Sequence, residues 1–134
     1  MDFSGLLSYH GDPSAAAGRP IQELNHEQKW RQIVCDNGAR PGPRSGAASV
    51  VYKDSLYIFG GYGGNGRLDD LWEYRFLDKQ WHKLETKGSP PAGRENNGAV
   101  LYKNCMYVFG GYSGFFWLND FHKLDFRKLY IETL

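Results

Sequence analysis

Residues 38–84 of this chain recur at residues 88–134 with an offset of fifty and no gap, and 16 of the 47 aligned pairs are identical. Gly38 and Gly88, Pro41 and Pro91, Arg44 and Arg94, Tyr57 and Tyr107, Gly60-Gly61 and Gly110-Gly111, and Asp70 and Asp120 fall in register. A fixed period in this range is the mark of solenoids and propellers, in which each repeat is one small unit that hides its apolar face against the next. Two such units are present.

Composition narrows the class. Apolar residues make up 41% of the 134, aromatics 16%, and there are 17 glycines, a mixture that suits short strands and tight turns in an all-β domain. Sixteen Lys and Arg stand against fifteen Asp and Glu, so no global field draws the chain to nucleic acid or to an anionic membrane. No apolar run approaches the roughly 18 residues that would span a bilayer. Met1-Asp2-Phe3 offers no basic n-region and Gly5-Leu6-Leu7 is too short for an h-region, so the expected compartment is the cytoplasm. Cys35 and Cys105 have no Cys or His at metal-ligand spacing and read as packed thiols.

Residues 1–27 lack apolar periodicity and have no counterpart elsewhere, so a flexible leader is expected there. An ordered region is expected over 28–134: an outer strand at 28–35, a first unit at 44–86 and a second at 94–134. The outer strand is suggested by Trp30-Arg31-Gln32-Ile33, which is similar to Trp81-His82-Lys83-Leu84.

Each unit carries four strand signals between turn signals, the spacing of an antiparallel meander. The first lies at 46–52, repeated at 97–102. The second, 56–59 and 106–109, consists of four successive apolar residues and implies burial on both faces. The third, 71–76, alternates, with Trp72, Tyr74 and Phe76 on one face and Glu73 and Arg75 on the other; its copy places His122, Leu124 and Phe126 together. The fourth, 80–84, is led by Trp81. At its repeat position stands Ile131, with Tyr130 one residue earlier as the expected aromatic substitute, and the second unit reads as incomplete. A sheet buried on both faces must be stacked between similar sheets, and radial stacking gives a propeller.

Arg44-Ser45-Gly46, an apolar strand, Leu56-Tyr57-Ile58-Phe59-Gly60-Gly61-Tyr62, Leu68-Asp69-Asp70-Leu71, an aromatic and finally Trp81 together resemble a Kelch repeat, one blade of a β-propeller. Arg94, Met106 to Tyr112 and Leu118-Asn119-Asp120 repeat the pattern. The phrase from Tyr57 to Tyr74 is similar to Kelch units of the leucine-zipper-like transcriptional regulator group, in which propellers join BTB domains. The resemblance implies a partial β-propeller: two four-stranded antiparallel Kelch blades plus a preceding outer strand. In it, Gly60, Gly61, Gly110, Gly111, Tyr57, Tyr107 and Trp81 are structural motif positions.

The resemblance also implies a protein-protein interaction module. In a meander, the loop after strand two and the link from strand four emerge on one side, which puts Tyr62, Arg67 and Tyr112 on a common surface. In Kelch adaptors that capture acidic peptides, arginines at the motif positions of Arg44 and Arg94 line the channel mouth. Two readings stay open for these two: partner contact, or pairing with Asp69, Asp70, Asp120 or backbone carbonyls to fix the blade. Phe115, Phe116 and Trp117 replace Asn65, Gly66 and Arg67 at a loop tip, and either meet a partner or pack on an adjacent segment.

The expected partners are proteins, an acidic peptide or a ubiquitin-ligase substrate among them, with self-association through open blade faces as a further expectation and no nucleic acid or membrane. No cofactor is expected. The glycine-rich loops lack a Gly-Lys-Ser or Gly-Lys-Thr ending, no Ser-His-Asp set stands out, and His82 and His122 are not repeat equivalents. A fragment of a Kelch-type propeller enzyme, or a truncated product without independent function, are the competing readings.

Overall fold

A computed structural model describes residues 30–35 and 38–134. The chain divides into two units, Met1–Gln32 and Ile33–Leu134. Of the first, only Trp30 to Gln32 lie among the described residues, and the leader expected over 1–27 falls outside them.

The second unit is all-β. One sheet contains β1 (Ala48–Tyr52), β2 (Ser55–Phe59), β3 (Leu71–Arg75) and β4 (Gln80–Leu84), paired antiparallel in chain order. The other contains β5 (Lys87–Gly88), β6 (Gly98–Tyr102), β7 (Cys105–Tyr112), β8 (Trp117–Asp125) and β9 (Tyr130–Thr133), in the order β5-β9-β8-β7-β6. These are the two predicted meanders. Their turns repeat as faithfully as their strands: Lys53 and Lys103 take positive φ at the tips of the first hairpins, and Lys79 and Leu129 do so in the third connections. Non-glycine residues adopt that conformation only where the turn demands it.

The core lies between the sheets. Register places Val50, Tyr57, Phe59 and Leu71 on one face of the first sheet. They bury against Met106, Val108, Leu124, Phe126 and Ile131 of the second. The two faces are not repeat equivalents of each other. Residues fifty after Val50, Tyr57, Phe59 and Leu71 are Val100, Tyr107, Phe109 and Phe121, which lie on the far side of the second sheet. The blades therefore stack front to back.

Four expectations are corrected. No strand forms over residues 30–35, and Trp30 is fully exposed. A strand is held by its ladder, and residues 30–35 have no ladder partner among the described residues. The second blade is not short of its fourth strand, since β9 pairs with β8 and even gains a parallel neighbour in β5. Within β9, Ile131 and not Tyr130 takes the place of Trp81: Ile131 faces Leu124 as Trp81 faces Tyr74, and is buried while Tyr130 is exposed. Finally, the second strand is buried on both faces only in part, because Phe109 of β7 stands exposed.

Glu73 of β3 shares the face of Tyr57 and Leu71. Glu73 is buried and accepts hydrogen bonds from Ser55 Oγ (2.8 Å), Tyr57 Oη (3.0 Å) and Arg75 Nε (3.1 Å). A buried carboxylate is tolerated when its lone pairs are filled in this way.

Candidate interaction surface

The inner end of each blade is closed by the same clamp. Arg44 forks onto Asp70 (2.6 and 3.0 Å) and also donates to the carbonyls of Gly60 (3.0 Å) and Gly42 (3.1 Å). Arg94 forks onto Asp120 (2.5 and 2.7 Å) and donates to the carbonyls of Gly110 (3.0 Å) and Ala92 (3.0 Å). Its side chain is 0% exposed. Each carboxylate takes a further bond from β3 or β8: Trp72 Nε1 donates to Asp70 over 2.6 Å, and His122 Nε2 lies 2.8 Å from Asp120. The blade-fixing alternative for the arginines describes this geometry, because guanidiniums engaged on carboxylate and backbone are not offered to a ligand.

The electrostatics follow. Burial opposes ionisation of Asp70, but hydrogen bonds from Arg44 and Trp72 outweigh it and hold the carboxyl below its usual range. The forked bond from Arg94, helped by His122, holds Asp120 well below that range against a smaller cost of burial.

The glycine doublets let the clamps close. Gly60 and Gly61 have φ of 72° and 100°, and a Cβ would lie 2.6 Å from the Arg94 carbonyl at the first and 2.8 Å from the Ser45 carbonyl at the second. Backbone from three segments meets here: Gly61 N donates to Arg94 O (2.8 Å) and Arg94 N to Leu68 O (3.1 Å). Only glycine combines that φ with that approach.

These bonds bring the two β2–β3-type loops and the inter-blade link to one surface, as strand parity requires. Arg67 spans the seam. Its guanidinium lies 4.8 Å from the Tyr62 ring and 5.0 Å from the Tyr112 ring, and it pairs with Glu95 at 2.7 and 3.0 Å. Glu95 was not among the expected site residues. Its repeat equivalent is Ser45, so comparison of the copies hid it. Between the blades a cleft of about 220 Å³ opens beside Asp69, Asp70, Glu85 and Pro91 over a floor that includes Met106 and Leu124.

Phe115, Phe116 and Trp117 stand exposed. Their turn is nonetheless fixed. Ser113 N donates to Phe116 O (3.0 Å), Ser113 Oγ accepts from the amides of Phe115 (3.3 Å) and Phe116 (3.0 Å), and Tyr112 Oη donates to Gly114 O (3.0 Å). The same frame recurs in blade one, where Gly63 N donates to Gly66 O and Tyr62 Oη to Gly64 O. One backbone frame thus displays small residues in blade one and aromatics in blade two. Trp117 takes the place of Arg67 and tilts against Tyr112 with ring centroids 5.0 Å apart.

The KLHDC2/KLHL20/DRC7 Kelch-repeats domain matches residues 20–133. The chain belongs to the Kelch-repeat family. Among curated relatives of these Kelch blades, Host cell factor 2 of Homo sapiens is 43% identical over 101 residues, covering 65% of the chain and 12% of that protein. The flagellar outer-arm dynein alpha chain of Chlamydomonas reinhardtii is 34% identical over 83 residues, 58% of the chain and 2% of the relative. Leucine-zipper-like transcriptional regulator 1 of Mus musculus is 43% identical over 54 residues, 38% of the chain and 6% of the relative. The Kelch chain thus spans a small part of each.

Proposed function

We propose that this chain is a protein-interaction module whose contact surface is built from the Ser113–Phe116 turn and Trp117, flanked by Tyr112, Arg67 and Tyr62. The observation that carries this reading is the display of three exposed aromatics on a turn already held by its own hydrogen bonds. Large apolar rings on a prearranged frame lose little freedom on contact and are the residues on which interface energy concentrates. Within this class, a recruiting role fits best: the surface holds a partner while other modules act on it. The Kelch relatives are consistent with binding of this kind.

The partner chemistry is apolar and aromatic. Capture of an acidic peptide would rest on Arg44 and Arg94, and both are engaged inside the blades. Arg67 is likewise paired, with Glu95. Among the described residues no group of three or more His, Cys, Asp or Glu side chains gathers at metal-binding geometry.

The test is affinity capture with quantitative mass spectrometry, comparing the wild-type chain with Phe115→Ser/Trp117→Ser and with Lys79→Ala, which alters the opposite end of blade one. Partners lost about tenfold or more in the aromatic variant and kept in the control support the surface. An identical partner set in all three overturns it.

A further inference from the structure

The cleft between the blades has a floor and a rim of opposite character. The floor is apolar, with Met106, Val108, Leu124 and Ile131 of blade two facing Leu71 and Leu84 of blade one. The rim is acidic because of where two strands stop. Leu71 and Leu84 are register partners at the loop end of β3 and β4, so Asp69-Asp70 and Glu85-Thr86 leave the sheet side by side over the cleft. Both walls are drawn from these two blades.

The charges on that rim do not cancel. Asp70 is engaged by Arg44 and Trp72, and Lys83 adds to the positive field on it. Asp69 and Glu85 are exposed, and neither makes a hydrogen bond or an ion pair with a described residue. Donors are scarce around them. Pro90 and Pro91 line the facing side and carry no N–H. Both ring nitrogens of His122 are occupied, one by Asp120 and one by Thr133. That leaves Lys83 and the Thr86 hydroxyl as the side-chain donors of the lining. An entering anion would meet two unpaired carboxylates, whereas a cation is drawn to them. The space of about 220 Å³ suits one long side chain.

We propose that the cleft receives a lysine or arginine side chain of a protein partner, its methylene stem on Met106 and Leu124 and its charged head between Asp69 and Glu85. Long basic side chains divide in this way, burying the stem along apolar surface while the head stays at a wet, polar boundary. Ammonium and guanidinium groups also make the strongest hydrogen bonds that a carboxylate can accept. A glutamate would bring a like charge to the rim, and an uncharged aliphatic chain would cover both carboxylates without pairing them. This site rests on the interaction-module reading only in that the partner is a protein, and it shares no residue with the Ser113–Phe116 turn.

Backbone amide NMR spectra of the full chain test this, titrated with acetylated and amidated pentapeptides Gly-Gly-X-Gly-Gly in which X is lysine, arginine, norleucine or glutamate. The lysine and arginine peptides are expected to bind with a Kd on the order of millimolar and to shift the amides of Leu84, Thr86 and Met106. Asp69→Asn/Glu85→Gln should weaken both about tenfold. The two side chains are exposed and unbonded, so this variant should keep its fold, which circular dichroism melting checks; either single substitution, with a smaller loss, serves should the pair unfold. Phe115→Ser/Trp117→Ser should bind the lysine peptide as wild type does, which separates failure of the cleft from failure of the aromatic surface. No shifts with either basic peptide, shifts outside the cleft, or an equal response to norleucine or glutamate overturns the assignment. So does undiminished affinity in Asp69→Asn/Glu85→Gln, or lost affinity in Phe115→Ser/Trp117→Ser.

Discussion

His122 does in blade two what Trp72 does in blade one: its ring nitrogen lies 2.8 Å from Asp120 Oδ2, as the indole nitrogen lies 2.6 Å from Asp70 Oδ2. An imidazole and an indole share little except a planar ring with an N–H at reach. The clamp therefore demands a donor from β3 or β8 rather than a particular side chain, and Thr133 Oγ1, 3.2 Å from His122 Nδ1, occupies the second nitrogen that an indole lacks. The arginine is the same in both copies, because two parallel bonds to a carboxylate need a fork.

Arg94→Met is accordingly expected to destabilise the chain by about 3–5 kcal/mol, since it strands the Asp120 carboxylate and the Gly110 carbonyl. Arg94→Lys should recover only part of this, a single ammonium being unable to fork. Urea denaturation measures both; a lysine variant as stable as wild type would refute the clamp.

Acid should loosen the blades through the same carboxylates. Asp120 is held low chiefly by Arg94, while Asp70 and Glu73 are held low by their hydrogen bonds despite burial. A carboxyl depressed in the folded state stabilises the fold above its unfolded value of about 4 and loses that contribution as pH falls through and below it. Asp120→Asn should thus flatten the dependence of the urea midpoint between about pH 5 and 2. An unchanged slope would contradict this. At the alkaline end the sign reverses. Burial and the bond to Glu73 push Tyr57 up to about 12, so its contribution is complete below about pH 10 and lost as pH rises towards 12.

Phe126→Ala and Phe76→Ala, equivalent by sequence, should differ sharply. The first removes a ring buried against Tyr52 and Tyr57 and is expected to cost about 3–5 kcal/mol. The second alters a half-exposed ring that meets Tyr74 edge-on and should cost about 1 kcal/mol. Thermal melts of the two variants at low concentration decide it, and equal losses would mean that the blade seam is misplaced.

Gly61→Ala should cost more than the roughly 1 kcal/mol of a permissive glycine change, because it adds a Cβ 2.8 Å from the Ser45 carbonyl at a φ of 100°. Gly66→Ala, where a Cβ would meet nothing within 4 Å, is the control. Equal melting temperatures for the two would argue against close backbone approach at the doublet.

The period of fifty was enough to predict the meanders, the turns and the strand order, because hydrogen-bonded hairpins are local and their signals lie within a few residues of one another. The common surface of Tyr62, Arg67 and Tyr112 also followed from strand parity alone. The Arg67–Glu95 pair did not, since it joins unlike positions of unlike copies. Nor did the lack of a strand at 30–35, which depends on a neighbour that local pattern does not contain.

Sequence by itself determined what each blade is: four strands, a glycine doublet, an arginine matched to an aspartate. Only the tertiary structure decided which of two nearly identical residues is buried, Phe59 or Phe109, Phe126 or Phe76. Burial belongs to the face on which another sheet lands, and between these two blades that contact joins the front of the first to the back of the second.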